Sequence, residues 1–174
     1  NPDSGQYYAS LVVDWAKKID YKKALGIGYN VLGTASKMQG HYPAAIDYFQ
    51  KSIDIWIAKK DSMGLGATYA NLGEVYRLKT DYPEALKYFL LSLRIDEALQ
   101  YEIGIAYAYN YLGATYQELG DYTKALENFQ AALEIRLRLG LDAGIAAGYN
   151  NIGTIYADEG KFAEALENYK ASLA

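Results

Sequence analysis

The chain of 174 residues has no cysteine, a single histidine (His41), and only three prolines, Pro2, Pro43 and Pro83. Without cysteine there can be no disulfide and no thiolate metal site. With one histidine, neither a His–His metal pair nor a Ser-His-Asp triad can be assembled in one chain, and His41 reads as a solvated turn residue. Scarce proline suits helices. No apolar run reaches the roughly 18–20 residues needed to span a bilayer, and no charged start, apolar stretch and small-residue cleavage site open the chain. The net charge of -4 is modest and its acids and bases are interspersed, so neither a nucleic-acid surface nor a polybasic membrane patch is indicated. The expectation is a protein or peptide partner, with no nucleic acid, membrane, metal or cofactor. The cytoplasm is the expected compartment; a periplasmic location is also compatible with the lack of cysteine.

What the sequence has in abundance is self-similarity. From the stretch Gly104 to Ala143, a shift of 40 positions places Leu112 on Leu72 and Leu32, Gly113 on Gly73 and Gly33, and Tyr122 on Tyr82 and Tyr42. The same shift places Ala125 on Ala85 and Ala45, and Phe129 on Phe89 and Phe49, while Ile152, Gly153, Phe162, Ala165 and Tyr169 continue the set forward. A fixed period without insertions means stacked copies of one supersecondary unit, each packing on its neighbours. The expected organisation is one repeat array: residues 1–23 as the second helix of a preceding or capping unit, then repeats at 24–63, 64–103, 104–143 and 144–174, the last one truncated.

Within each unit the apolar spacing is helical. Tyr29, Leu32, Gly33 and Ser36 stand at offsets 0, 3, 4 and 7, and Tyr109, Leu112, Gly113 and Tyr116 repeat the pattern. A mid-helix glycine costs about 1 kcal/mol relative to alanine, so its recurrence predicts a second helix crossing closely at that turn. The small residues Ala45, Ala85, Ala125 and Ala165 are expected to face it. The turns Gly40-His41-Tyr42, Thr80-Asp81-Tyr82, Gly120-Asp121-Tyr122 and Gly160-Lys161-Phe162 end one helix and cap the next, with Asp81 and Asp121 as caps. Such short turns make the two helices antiparallel neighbours. An opening helix is expected over residues 3–19, capped by Asp3 or Ser4 and covering the first helix of the next unit. Gly26-x-Gly28 followed by Gly33 lies inside a helix, its register misses a dinucleotide fingerprint at Val31, and no lysine follows Gly33, so it reads as helix packing. Carboxylates such as Glu127 and Glu134 read as exposed-face charges, and no catalytic activity is expected.

The phased set of aromatic, Leu-Gly, Tyr, then Gly-Asp-Tyr-x-x-Ala-Leu and Phe resembles the tetratricopeptide repeat across the whole chain. Two features depart from that pattern: the unit is 40 residues rather than 34, and the usual closing proline is replaced by Ile57, Glu97 and Leu137. Long units of this kind resemble those of kinesin light chains, G-protein-modulating polarity adaptors and bacterial signalling proteins. The resemblance implies an all-α fold, a right-handed α-solenoid of stacked antiparallel helix pairs, whose first helices line a concave peptide-binding groove. A protein–protein interaction scaffold follows as the implied function, or else the sensory or regulatory domain of a larger bacterial histidine kinase, cyclase or peptide-responsive regulator.

On the implied groove face lie Asn30 and Thr34; Asn71, Glu74 and Arg77; Tyr107, Asn110, Tyr111 and Gln117; and Asn150, Asn151 and Thr154. Asparagine is a poor helix-interior residue, so its recurrence on one face calls for a reason. An amide can donate to and accept from the backbone of an extended peptide, or it can bridge neighbouring helices. Tyr107 and Tyr111 replace Ala67 and Asn71 of the preceding copy and could grip an apolar anchor, with Glu74 and Arg77 setting charge preference. The basic offsets used by relatives that clamp a terminal dicarboxylate hold Ile27, Ala67, Tyr107 and Ala147 here. The chain starts at Asn1 without methionine and stops at Ala174, inside what is a helix one copy earlier, so a piece of a longer protein, able to pack end to end with itself, is expected.

Overall fold

The computed structural model describes residues 2–173, with side chains from residue 5 onward. Among the described residues there are nine helices and no strand: α1 (Pro2–Lys18), α2 (Lys22–Met38), α3 (Tyr42–Lys59), α4 (Ser62–Leu78), α5 (Tyr82–Ala98), α6 (Glu102–Glu118), α7 (Tyr122–Leu139), α8 (Asp142–Asp158) and α9 (Phe162–Ala171). They form two compact units, residues 1–95 and 96–174. Among the described residues no helix is long and apolar enough to cross a membrane. The cap role expected of Asp3 and Ser4 lies outside the described side chains.

Helix ends follow the turn chemistry. After α2 the chain takes a left-handed step at Gly40 (φ 75°), which lets His41 N–H reach Ser36 C=O at 2.9 Å and Gly40 N–H reach Lys37 C=O at 3.0 Å. This pair of bonds satisfies carbonyls that the helix end would leave bare. Gly120 and Gly160 repeat the step, and Thr80 (φ 59°) makes it without being glycine, so the bonding pattern sets the turn and glycine only eases it. Asp61 and Asp121 cap α4 and α7 by accepting from the N–H groups of Gly64 and Lys124.

In the first unit, Phe49 of α3 is fully buried and its ring lies over Gly33 of α2; a Cβ on that glycine would stand 2.6 Å from the ring. Phe89 of α5 is seated in the same way over Gly73 of α4. The second unit repeats the arrangement with Phe129 over Gly113 and Tyr169 over Gly153. The expected close crossing is therefore present, but its occupant differs from the expectation. The alanines do not face the glycines: Ala45 gathers with Phe49, Ile53, Leu72 and Val75, towards the first helix of the following repeat, and Ala125 gathers with Phe129, Ile152 and Ile155. The physical reason is reach. A glycine leaves a hole on one helix, and only a long, flat side chain from the other fills it. Ala165 is the partial exception, with its carbonyl oxygen 3.2 Å from where a Gly153 Cβ would be.

The opening helix covers α2 as expected, since Ala9 and Val13 cluster with Leu32, and Val13 closes over Gly28. Gly26 is a packing residue, with the Trp56 ring 2.7 Å from its would-be Cβ.

This packing makes a signed prediction. By helix propensity alone, Gly33→Ala would stabilise α2 by about 1 kcal/mol; with Phe49 in the way, the overpacking cost of roughly 1–3 kcal/mol outweighs that gain. Urea unfolding should show Gly33→Ala destabilised, and Phe49→Leu on that background should recover part of the loss, a coupling that distant sites would not show.

Candidate functional site

The polar residues expected on the groove face are distributed by the first helices of each unit, and most of them join one first helix to the next. In the first unit the Asn30 amide of α2 donates to Thr68 Oγ1 of α4 at 2.7 Å, and its carbonyl accepts from Asn71 Nδ2 at 3.1 Å. Lys37 of α2 is ion-paired with Glu74 of α4, and both side chains are largely buried. In the second unit Asn151 Nδ2 of α8 donates to Asn110 Oδ1 of α6 at 3.1 Å, and Gln117 Nε2 donates to Asp158 at 3.0 Å. The recurrence of asparagine thus has a structural cause. An asparagine in one first helix meets an asparagine 41 residues on, in the next.

The other expected residues differ in their surroundings. Thr34 and Thr154 hydroxyls donate back to the carbonyls of Asn30 and Asn150, four residues earlier, so they are satisfied within their own helices. Glu74 is neutralised by Lys37; Arg77 and Tyr111 are half-buried on α4 and α6. Tyr107 and Asn150 are exposed. Tyr107 is 57% exposed despite its ring, and among the described residues the Asn150 amide has no partner.

Beneath the first helices runs a second series, at the end of each second helix, where Trp56, Asp96 and Arg136 occupy the same register and are all buried. Trp56 lies against Gly26 and Gly64 and donates its indole N–H to Thr68 Oγ1 at 3.2 Å. Thr68 is the hub of this network: it accepts from Asn30 and Trp56 and donates to Gly64 C=O at 2.7 Å. Arg136 takes the tryptophan's place in the second unit. Its Nη1 donates to Asn110 Oδ1 and to Gly144 C=O, each at 3.2 Å, and its guanidinium lies 6.0 Å from the centre of the Tyr107 ring. Burial pushes the guanidinium pKa below its usual value. An open cleft of about 650 Å³ adjoins it, lined by Ile103, Tyr107, Leu141 and Ala147 among others. Sequence reading had placed Tyr107 on the groove but overlooked Arg136. The signal was present: Ala125, Phe129, Ala132 and Arg136 continue one stripe at helical spacing, and a cation at the end of a buried stripe is anomalous.

Two-helix units of this kind, repeated with a glycine hole and an aromatic knob, define an all-α repeat solenoid. The chain belongs to the tetratricopeptide repeat family, whose model matches residues 21–98 and 104–174. Among solved structures it is similar to BtubC (BKLC) from P. vanneervenii, at 17% identity over 99% of this chain and 89% of that one, with a TM-score of 0.79. It is also similar to the apo form of RapI, at 16% identity over 98% of this chain but 48% of RapI, with a TM-score of 0.84. No curated protein matches it significantly in sequence. Repeats of this family are typically non-catalytic and serve as protein-interaction scaffolds.

The Thr68 hub can be tested directly. Thr68→Val keeps the volume but leaves the Trp56 and Asn30 donors unpaired, so it should destabilise the protein by roughly 1–3 kcal/mol. Hydrogen exchange at the Trp56 indole should accelerate with it.

Proposed function

We propose that the chain holds a peptide segment of a partner protein against the exposed face of its first helices, with α6 and α8 as the main contact surface. The observation that supports this reading is that two expected groove residues of one unit stay exposed, Tyr107 on the wall of an open cleft and Asn150 with no partner for its amide among the described residues. Tyrosine presents a large, rigid contact area at low entropic cost, and a free amide can both donate to and accept from a peptide backbone. The bridging amides of Asn30, Asn71, Asn110 and Asn151 act as the platform. They hold adjacent first helices in register, while Thr34, Glu74, Arg77, Tyr111, Gln117 and Thr154 shape the surface around them.

A second reading, a regulatory domain within a larger bacterial signalling protein, draws support from the match to only 48% of RapI, where the same fold is part of a longer chain. Phe162 (72% exposed) and Leu166 (54%) on α9, with Leu173 (88%) just after it, leave apolar surface open, which supports self-association of this chain. In light scattering the apparent mass should rise with concentration and fall back to that of a monomer in Leu166→Glu; a concentration-independent monomer would remove self-association.

For the peptide reading, a random peptide library selected on the protein should yield binders that lose at least about tenfold in affinity on Tyr107→Ala or Asn150→Ala, with the melting temperature unchanged, because both side chains are exposed. Binders that ignore both changes but respond to Lys124→Glu or Glu127→Lys on α7 would place the contact on the second helices and refute the assignment.

A further inference from the structure

Arg136 is a cation in the wrong place for stability. It is only 6% exposed, yet its hydrogen-bond partners are both neutral, an amide oxygen and a backbone carbonyl. A guanidinium carries five N–H donors, and here one nitrogen meets both acceptors. Among the described residues no carboxylate stands within ion-pair distance of it, although ion pairs are made elsewhere along the chain, as by Lys37 with Glu74 and Arg138 with Glu102. A desolvated charge without a counter-ion is strongly unfavourable. The fold does not require one at this register, because Trp56 fills the equivalent place in the first unit with an apolar ring.

The surroundings indicate what would complete it. Arg136 lines the cleft of about 650 Å³, a size typical of sites for small ligands or single side chains, whose other walls are largely carbon: Ile103, Leu141, Ala147 and the Tyr107 ring. At the rim α8 begins behind Leu141, which makes no side-chain cap, and Asp142 in its first turn already sets one carboxylate against the helix end. Asp142 lies on the same rim, yet it forms no ion pair with Arg136. Inorganic phosphate or sulfate would suit the charge but leave the apolar walls uncovered.

We infer that this cleft is a binding site for a carboxylate carried on an apolar body, received by the Arg136 guanidinium with the hydrocarbon lying against Ile103, Tyr107 and Ala147. Its walls come from the first helices α6 and α8, with Arg136 of α7 at its base, and Tyr107 belongs both to it and to the proposed peptide surface, which makes it a selectivity pocket for that peptide; it rests on that reading only for the source of the carboxylate. An acidic side chain next to an apolar one and a chain-terminal carboxylate share this chemistry.

The test uses sodium 4-phenylbutyrate as the probe and its neutral amide as the control, followed at the Arg136 side-chain N–H resonance by NMR. The carboxylate should shift that resonance to saturation, bind at least tenfold more tightly than the amide, and outcompete inorganic phosphate. Arg136→Met should abolish the difference, and its melting temperature should equal or exceed that of the parent. Should Arg136→Met fail to fold, Ala147→Trp, which fills the cleft from an exposed position, should block the probe while leaving the guanidinium in place. Equal binding of the amide, retained binding in both variants, or a preference for phosphate would each overturn the inference. Acetyl-Leu-Glu-Leu-amide and acetyl-Leu-Gln-Leu with a free carboxyl end separate the two sources, and failure of both peptides would overturn the peptide source. Absence of a carboxylate preference in the parent protein while library peptides still depend on Tyr107 would sink this site alone; the converse would sink the groove reading alone.

Discussion

The contact on which each unit depends is an aromatic ring seated over a glycine. Burying a phenylalanine contributes about 1.5–3 kcal/mol, and the glycine opposite it gives back about 1 kcal/mol of helix propensity. The balance favours the pair, and because neither residue is useful without the other, the pair sets how the two helices of a repeat approach. Phe49 on Gly33 and Phe129 on Gly113 make the same contact in separate units. Once this crossing is set, the alanines four residues before each ring are free to face the next repeat, and the cores around Ala45 and Ala125 extend from there.

On this apolar frame, the polar residues of the first helices have a task that a reading of groove chemistry alone misses. Asn30 with Asn71, and Asn110 with Asn151, join helices 41 residues apart, and the Lys37–Glu74 pair does the same within the first unit. A buried or half-buried amide needs a partner, and the most economical one is the amide of the neighbouring helix. Tyr107 and Asn150, which the ladder does not use, stay exposed.

The register shared by Trp56, Asp96 and Arg136 shows how a repeat array acquires a local identity. In the first unit an indole fills the space and anchors to Thr68; in the second, Gly148 stands where Thr68 was, the indole is gone, and a guanidinium takes its place beside Tyr107. Uniform packing would have served stability at both places. The departure falls where the cleft opens.

The sequence by itself determined the period, the helix boundaries to within about two residues, the turns, and the presence of a close crossing at each mid-helix glycine. These are legible because they rest on local rules: a 3.6-residue periodicity, left-handed turn positions, and helix propensity violated at a repeated place. It also singled out Tyr107, as a bulky residue where the other copies have Ile27, Ala67 and Ala147. Only the tertiary structure decided what stands opposite each glycine, that the asparagines pair with one another, and that Arg136 is buried without a carboxylate. Each of these depends on which side chain of one helix reaches which side chain of another. Residues 26 to 41 positions apart in the chain become neighbours only after the helices have packed.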